Sequence, residues 1–450
     1  MNQINGPATS EAQMVMADLG ARLTAFDMLT GGRAARTYRV LYETEGASES
    51  RTAILRVESA TGPTTGVALS PRGQFDLLRS LEGRELPVPR ALAVGEVATG
   101  RYLLTTHVAG DVPSPWSRAG REILSADPLR SRLPAECASV LRRIHAIPVT
   151  DIVGLPHAWR VRPADELDRW RGILDSTPFG EDPLILWCLS RVERGLPESV
   201  PASLVHGDFR LGNLVVHDGR LAGILDWELA TVGDPALDLA LLLAPPVAAD
   251  WHRSGLDPID HLVGAYLESC PDGDAIESRL QAMTLLATLK VVSLWVNGAR
   301  VTDGVVSASA ARCALNALGS RQYLAQCLRP GHEISPAQST RRTAWRAQVE
   351  ETLRQAKETG TLEDSVLPAN LTDIPDPAPG LGDELTRDAL VLARALGLPT
   401  AAATDAPSTV AALVRDFVAL NRGSQDASVE KRIESLVLRT VDPELAGRPW

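Results

Sequence analysis

The chain has 450 residues, of which 44% are hydrophobic, and its formal net charge is −11 at pH 7. An acidic chain lacks the diffuse positive field that nucleic-acid binding usually needs, so nucleic acid is not an expected partner. The amino-terminal residues show no basic start followed by an apolar core, and the longest apolar stretch, 239–249, is short and contains two prolines. We therefore expect a soluble, cytoplasmic protein with no membrane partner. The sequence makes no prediction of the oligomeric state.

Cysteine and lysine usage restrict the chemistry further. The five cysteines are widely separated and form no C-x-x-C pair, so neither a disulfide framework nor a zinc site is predicted. Only three of the 45 basic residues are lysines, and the first of them is Lys290. Any cation that binds a phosphate in the first half of the chain must therefore be arginine or histidine.

The first part of the chain is predicted to be mainly β structure with one helix. Residues 37–42 and 52–57 are rich in β-branched, aromatic and aliphatic side chains, and the polar stretch between them is typical of a hairpin loop. Residues 71–81 carry apolar side chains near helical spacing, with a proline able to occupy the first turn, which predicts a helix. Residues 101–108, which lie between two glycines, predict another strand.

From residue 133 onward the pattern is helical, with one short β island. The run 133–147 has apolar residues at the 3.6-residue period of a helix. Three short apolar runs then predict the β island: 204–206, 214–217 and 221–225. Asp218-Gly219 predicts a tight hairpin between the last two runs, and Asp234-Pro235 predicts the start of another helix.

Polar side chains are expected to converge at this β island. Asp208 and Asn213 lie in the loop after the first run, and Asp226 follows the second strand of the hairpin. Phosphoryl transfer requires oxygen ligands for Mg²⁺, for which an asparagine carbonyl and an aspartate carboxylate are suitable. It also requires a carboxylate that accepts or orients the proton of the attacking hydroxyl, and Asp208 is the remaining candidate.

The string HGDFRLGN, followed by DWE, resembles the motifs of aminoglycoside phosphotransferases (the APH family) and their relatives. The longer string ILDWELATVGDPALDLA is most similar to the subgroup related to the kinase domain attached to some acyl-CoA dehydrogenases. The resemblance covers about residues 25–328. It implies that Asp208 is the catalytic base, that His206 shapes the catalytic loop, and that Asn213 and Asp226 bind Mg²⁺ beside ATP.

The resemblance implies an α+β fold of the bilobal protein-kinase-like, APH type. An N-terminal β-rich, ATP-binding lobe is expected at residues 25–107, and a helical C-terminal lobe with the catalytic loop at residues 108–328. A breaker-rich stretch near residue 330 predicts a domain boundary. A helical accessory region of unknown function is expected at residues 335–450.

The nucleotide is expected to contact the first hairpin and the connection between the lobes. The string LTGGRAARTYRV resembles the glycine-containing first hairpin of the subgroup, which implies that Gly31 and Gly32 let the backbone approach the ATP phosphates. The hinge is implied near Thr106 to Val108. Gly31, Gly32, Thr106 and Val108 are therefore the predicted nucleotide-binding positions besides Arg56.

Two positions depart from the pattern of the family. The lysine usual on the third strand is replaced by Arg56, which can bind two phosphate oxygens at once, so we expect Arg56 to serve both nucleotide binding and catalysis. The helix glutamate that pairs with this cation aligns with Gln74. Gln74 is expected to support Arg56 by hydrogen bonding, because an amide cannot form an ion pair.

Four further polar residues have structural as well as functional interpretations. Glu228 can contact substrate or metal, or form a structural hydrogen bond at the loop. Asp234 and Asp238 are predicted to cap a helix and to brace the catalytic loop, and His145 is predicted to be a packed core residue.

The resemblance implies the ATP-dependent phosphorylation of a hydroxyl group on a small molecule. Its acyl-CoA-dehydrogenase-linked subgroup points to hydroxyacyl-CoA thioesters or related metabolites as acceptors. One alternative is an antibiotic phosphotransferase of the aminoglycoside or macrolide type. Another is a catalytically weak, nucleotide-binding scaffold in which Gln74 marks decay, although the retention of Asp208, Asn213 and Asp226 argues against it. The absence of a G-x-S-x-G elbow, a P-loop and a dinucleotide fingerprint disfavours a hydrolase, a P-loop ATPase and a dehydrogenase.

Overall fold

The structure is a computed structural model, and it describes residues 7–29, 35–44, 50–58, 62–115, 117–176, 180 and 183–298. The described residues of Met1–Glu166 and Gly195–Ala287 form one compact unit, and those of Leu167–Arg194 and Thr288–Trp450 form another. The catalytic-loop segment and the β-rich segment both belong to the first unit. Gly31, Gly32, the boundary near residue 330 and the accessory region 335–450 lie outside the described residues.

After a first helix, which was not predicted, the elements follow the predicted order, with a mainly β part that contains one helix and then a mainly helical part. The helices are α1 (Pro7–Asp18), α2 (Pro71–Leu81), α3 (Arg118–Leu124), α4 (Leu129–His145), α5 (Pro163–Asp175), α6 (Pro183–Gly195), α7 (Ala236–Leu243), α8 (Pro245–Ser254), α9 (Ile259–Ser269) and α10 (Gly273–Gly298). The strands are β1 (Ala21–Leu29), β2 (Ala35–Thr44), β3 (Arg51–Glu58), β4 (Ala91–Val97), β5 (Gly100–Thr106), β6 (Arg160–Val161), β7 (Val200–Pro201), β8 (Ser203–Val205), β9 (Leu214–His217), β10 (Arg220–Ile224) and β11 (Thr231–Gly233). Short 3₁₀ helices lie at Val149–Asp151, Leu211–Asn213 and Trp227–Leu229.

Five strands form an antiparallel sheet in the order β1-β2-β3-β5-β4. Helix α1 packs on this sheet through a shared apolar core: Ala12, Val15, Met16, Tyr38, Val40, Tyr42, Ala53, Leu55, Val57, Tyr102 and Leu104. Successive side chains of a strand point to opposite faces of the sheet. Because Leu55 and Val57 point into this core, Arg56 projects from the other face of β3.

The predicted strands at 37–42 and 52–57 and the predicted helix at 71–81 are confirmed. The helix starts where expected because the Ser70 hydroxyl accepts a hydrogen bond from the Gly73 N–H at 3.1 Å and a proline occupies the first turn. The strand predicted at 101–108 ends at residue 106. Helix α1 was not predicted, because its single short apolar stripe gains a partner only from the sheet.

The β island is confirmed as two small antiparallel pairs, β8 with β11 and β9 with β10. Asp218 and Gly219 both have positive φ angles, 49° and 70°, as a two-residue hairpin turn requires. Asp111 forms an isolated bridge with Val216, which attaches the segment after β5 to β9. The predicted helix after Asp234 is α7.

Helix α10 is long enough and apolar enough to cross a membrane by length and composition alone, with a mean hydropathy of 1.3 over its 18-residue window. Inside the fold, 61% of that window is buried. Burial of this extent is also what a core helix of a globular domain shows, so α10 is weak evidence for a membrane span.

A buried ion pair gives a test of the packing between α10 and the start of α7. Arg279 donates two hydrogen bonds to the Asp234 carboxylate, at 2.7 and 2.8 Å, and neither side chain is more than 10% exposed. Arg279→Met leaves the Asp234 carboxylate buried without a counter-charge, and we expect the free energy of unfolding in urea to fall by about 3–5 kcal/mol.

The matched control is Arg118→Met, which breaks an exposed pair with Glu122 on α3 and should change the unfolding free energy little. Equal urea midpoints for Arg279→Met and the wild type would contradict a stabilising role for the buried pair.

Candidate active site

A buried carboxylate on α7 fixes the start of the loop that carries Asp208. The two carboxylate oxygens of Asp238 accept hydrogen bonds from the backbone N–H groups of His206 and Gly207, at 2.9 and 2.8 Å. Nε2 of His145 lies 3.0 Å from the same carboxylate. Burial acts to raise the pKa of Asp238, but the hydrogen bond from His145, the nearby imidazoles and the His206 N–H outweigh burial, and the pKa is lowered. This is the bracing contact predicted for Asp238.

His145 is buried, as predicted, but it does more than fill the core. Its Nδ1 lies 2.7 Å from the Tyr266 hydroxyl on α9, while its Nε2 contacts Asp238. The imidazole therefore connects α4 and α9 to the carboxylate that holds the loop. No local pattern around His145 indicates this role, because the two partners lie 93 and 121 residues away along the chain.

His206 links the loop to the strand end that carries Asp226. Its Nδ1 accepts a hydrogen bond from the Asp208 N–H at 3.1 Å, and its Nε2 donates to the carbonyl of Leu225 at 2.9 Å. This pair of contacts requires the neutral tautomer with its proton on Nε2. Burial lowers the pKa of His206 in spite of the nearby Asp238 carboxylate, which keeps the ring neutral.

The residue between His206 and Asp208 must be glycine. Gly207 has φ +79°, and a Cβ at this position would lie 2.2 Å from the carbonyl oxygen of Leu229. A side chain would therefore meet both an unfavourable backbone conformation and a steric clash. Asp226 also has a left-handed backbone, with φ 60° and ψ 59°, in a region that aspartate tolerates better than most residues.

The Asp208 carboxylate is oriented by two neighbours in its own loop. Nδ2 of Asn213 donates to the Asp208 carbonyl at 2.8 Å and to its carboxylate at 2.7 Å. Nε of Arg210 lies 3.2 and 3.3 Å from the two carboxylate oxygens, and the charge of Asp208 outweighs burial and raises the pKa of Arg210. Arg210 was not predicted, because one arginine among 42 carries no signal without its contact.

Arg56 pairs with two carboxylates at the end of the hairpin. Its Nη1 donates to Asp226 at 2.6 Å, and its Nη2 donates to Glu228 at 2.8 Å. Burial acts to lower the pKa of Arg56, but these carboxylates outweigh it and the pKa is raised. The expected hydrogen bond from Gln74 to Arg56 is not observed, because Nε2 of Gln74 donates to the carbonyl of Leu69 at 2.8 Å. The helix amide is turned toward backbone, and acidic residues of the loop hold the guanidinium.

Glu228 is held in a largely buried position beside these groups. Burial raises its pKa, and the charges of Asp226 and Asp208 raise it further, against the opposing effects of Arg56 and a hydrogen bond with Thr64. The sequence left open a contact of Glu228 with substrate or metal and a structural hydrogen bond at the loop, and the observed partners of its carboxylate are Arg56 and Thr64.

The predicted hinge residues lie where the sheet ends. The Thr106 N–H donates to the carbonyl of Arg90, and the Thr106 hydroxyl accepts from the Arg90 N–H, both at 2.9 Å. Val108 packs against Gly223 of β10, where an added Cβ would lie 2.7 Å from the valine side chain. Contacts of Thr106 and Val108 with a nucleotide stay a prediction, as do those of the glycine hairpin outside the described residues.

The donor set fits a magnesium ion that is shared with a nucleotide. The Leu225 N–H donates to the carbonyl of Asn213 at 2.8 Å, which ties the two segments with the predicted ligands together. With Nδ2 of Asn213 committed to Asp208, its amide oxygen can serve as a ligand beside Asp226. Within the described part of the chain, no group of three or more His, Cys, Asp or Glu side chains is arranged to hold a metal. Mg²⁺ takes few protein ligands and completes its shell with water and phosphate oxygens.

A sheet with a cation on its third strand, followed by helices that brace an Asp-Asn loop, defines the kinase-like class of phosphotransferases. The chain belongs to the phosphotransferase enzyme family, APH, whose profile matches residues 28–277.

Two curated relatives match a part of the chain. A stretch of 178 residues, 37% of this chain, is 29% identical to acyl-CoA dehydrogenase family member 10 of Mus musculus and covers 16% of that protein. A stretch of 179 residues, also 37% of this chain, is 28% identical to an aminoglycoside 3'-phosphotransferase of Escherichia coli and covers 59% of it. The chain therefore spans less than two thirds of the length of these relatives.

One crystal structure, of a Ralstonia eutropha protein assigned to the aminoglycoside phosphotransferases, has a TM-score of 0.50 and 18% sequence identity to this chain. The match covers 71% of this chain and 97% of that chain. A likeness at this identity concerns the fold, and it confirms the predicted α+β, kinase-like fold of the APH type.

The neutral state of His206 predicts a pH dependence of stability. The pKa of His206 is below its ordinary value of 6.5 in the folded protein, so below pH 6.5 the unfolded chain binds a proton that the folded protein does not. Stability should therefore fall as the pH drops below this value, down to the folded-state pKa. We expect His206→Gln to remove a slope of up to about 1.4 kcal/mol per pH unit.

The measurement is urea denaturation at several values between about pH 8 and pH 5. The exposed His217 on β9 supplies the control, and His217→Gln should leave the slope as in the wild type. Parallel curves for the wild type and His206→Gln would show that His206 does not resist protonation.

Proposed function

We propose that the protein is a phosphotransferase that uses ATP and Mg²⁺ to phosphorylate a hydroxyl group of a small molecule. The observation that carries this proposal is the Asp208 carboxylate, which is held by Asn213 and Arg210 in a loop braced by a buried aspartate. Membership of the phosphotransferase family supports the class of reaction.

Each group at the site has a proposed task. Asp208 accepts or orients the proton of the acceptor hydroxyl, and its two hydrogen-bonding neighbours hold the carboxylate in one orientation. Arg56 binds phosphate oxygens with its planar guanidinium. Asn213 and Asp226 hold Mg²⁺, which when bound neutralises charge on the phosphate oxygens.

The nucleotide contacts are proposed at the glycine pair that follows β1 in the sequence and at the end of β5. Gly31 and Gly32 approach the phosphates, and Thr106 and Val108 contact the base. His206 serves the reaction indirectly, because it touches the backbone of Asp208 and of the strand that leads to the metal ligand.

We propose hydroxyacyl-CoA thioesters as the acceptor class. The support is the similarity to acyl-CoA dehydrogenase family member 10, because the name of that protein refers to acyl-CoA, and an acyl-CoA that bears a hydroxyl suits a phosphotransferase as acceptor. The similarity to an aminoglycoside 3'-phosphotransferase favours a second candidate, an antibiotic as acceptor. The acidic net charge of −11 suits a cationic aminoglycoside.

An acceptor screen separates these candidates. The purified protein is incubated with ATP and MgCl₂ and with hydroxyacyl-CoAs, the corresponding free hydroxy acids, or aminoglycosides, and products are detected by mass spectrometry. We expect phosphorylated hydroxyacyl-CoA, and ADP formation that depends on it. Phosphorylation of an aminoglycoside alone would support the second candidate, and the absence of any transfer or ATP hydrolysis would contradict both.

Asp208→Asn tests the proposed base. We expect the variant to bind Mg-ATP with nearly unchanged affinity, while turnover falls by the ~10²–10⁴-fold typical of a lost acid-base group. Asp218→Asn serves as the control, because it makes the same chemical change in the exposed turn of the β9–β10 hairpin, where asparagine also tolerates a positive φ. Turnover of Asp208→Asn within a few-fold of the wild type would remove Asp208 from this role.

A further inference from the structure

The two carboxylates that bind Arg56 lie in different environments. The Glu228 side chain is 13% exposed and that of Asp226 is 40% exposed, while the Arg56 side chain is 18% exposed. A contact with a more buried group is less screened by water and holds its partner in a narrower range of positions. The Asp226 contact is the shorter of the two, at 2.6 Å against 2.8 Å, but the Glu228 contact is the better shielded from water.

Glu228 is fixed from two directions besides Arg56. Its carboxylate forms a hydrogen bond with the side chain of Thr64, and its backbone carbonyl accepts from the Leu69 N–H at 2.7 Å. The Leu69 carbonyl in turn accepts from the side chain of Gln74 on α2. Helix α2 thus acts on Glu228 through the segment that precedes the helix, although it supplies no carboxylate of its own to Arg56.

Asp226 is less constrained. It precedes a short 3₁₀ helix in a left-handed conformation, and its side chain makes no capping hydrogen bond to that helix. Its carboxylate contacts the guanidinium at Nη1, while Glu228 contacts Nη2, so Arg56 can lose one contact and keep the other.

We propose that Glu228 is the positioning residue that holds Arg56 in place of the family's helix glutamate, and that Asp226 is a temporary partner which Arg56 exchanges for a nucleotide phosphate. This inference rests on the proposed ATP-dependent function. The exchange frees the Asp226 carboxylate as Arg56 gains the phosphate, so that a cation can bind Asp226 once the nucleotide is in place.

The proposal predicts opposite effects for the two carboxylates. By charge alone, neutralising either one makes the site more positive and tightens the binding of anionic ATP. With Arg56 held as proposed, Asp226→Asn should tighten ATP binding because it removes the competitor of the phosphate. Glu228→Gln should weaken ATP binding because Arg56 loses its anchor.

The first experiment measures ATP binding by calorimetry in EDTA, so that no metal contributes. We expect Asp226→Asn to tighten binding several-fold and Glu228→Gln to weaken it by roughly three- to tenfold. In an Arg56→Met background, Glu228→Gln should no longer weaken binding. Tighter binding by Glu228→Gln in the presence of Arg56, or an equal loss in both backgrounds, would overturn the proposal.

Thr64→Val is a second variant that changes no charge. It removes the hydrogen bond to Glu228 with little change in side-chain volume, and it should weaken metal-free ATP binding in the same direction as Glu228→Gln, by a smaller factor. Unchanged affinity in Thr64→Val together with tighter binding in Glu228→Gln would show that Glu228 acts only as a charge.

The second experiment needs no nucleotide, so it separates this inference from the proposed function. Mn²⁺ binding to the nucleotide-free protein is followed by electron paramagnetic resonance, and Arg56→Met should tighten it because Asp226 is released. Arg210→Met is the matched control, since Arg210 also lies close enough to interact electrostatically with Asp226 but is hydrogen-bonded to Asp208. Equal increases in Mn²⁺ affinity in the two variants would overturn the proposal that Arg56 occupies Asp226 until a nucleotide binds. Failure of the wild type to bind ATP would instead overturn the proposed function.

Discussion

The loop that carries Asp208 depends on one buried carboxylate. Asp238 is completely inaccessible to solvent. Its carboxylate accepts hydrogen bonds from the backbone N–H groups of His206 and Gly207 and from the ring of His145. An ionised group buried without donors is costly, so any loop conformation that withdraws these N–H groups is strongly disfavoured. The geometry of the loop is therefore imposed by α4, α7 and α9, which hold Asp238 and His145 in place.

The same constraint passes from the loop to the end of the β9–β10 hairpin. His206 is anchored through its backbone and uses both ring nitrogens, one for Asp208 and one for the residue before Asp226. The glycine that follows it lets the chain approach the Leu229 carbonyl closely. Two short segments that are separate in sequence thereby acquire a fixed relative position. Preorganisation of this kind is what a phosphotransferase requires, since its protein groups mainly position reactants and stabilise charge.

Arg56 is a cation that the sheet contributes to this arrangement, and its chemistry alters the usual pairing. An ammonium presents three rotatable donors around a point charge, whereas the guanidinium of Arg56 holds its donors in a fixed plane, and two of them bind two different carboxylates. The acceptors come from the segment that also carries the predicted metal ligand. In the proposed function, nucleotide and metal binding are coupled through this one side chain, and the carboxylates beside Arg56 replace an acidic residue at Gln74 on α2.

The sequence by itself determined the features that rest on local chemistry. Helix 71–81, the strands at 37–42 and 52–57 and the Asp218-Gly219 hairpin follow from periodicity, capping and turn residues. The HGD and DWE strings were sufficient to indicate the family. Asp208, Asn213 and Asp226 could be predicted because phosphoryl transfer requires oxygen ligands for Mg²⁺ and a base, and these residues lie in one loop and at one strand end.

Only the tertiary structure decided which of these side chains meet. Arg56 and Asp226 are 170 residues apart, and His145 and Asp238 are 93 residues apart, so no local pattern connects them. The same is true of helix α1, whose short apolar stripe is buried only by packing on the sheet. It is also true of Glu228, which contacts Arg56 across 172 residues of sequence. Pairings of this kind arise because packing brings distant segments together and burial removes water as the competing partner. Each charge is then satisfied by the polar group nearest in space, whatever its distance along the sequence.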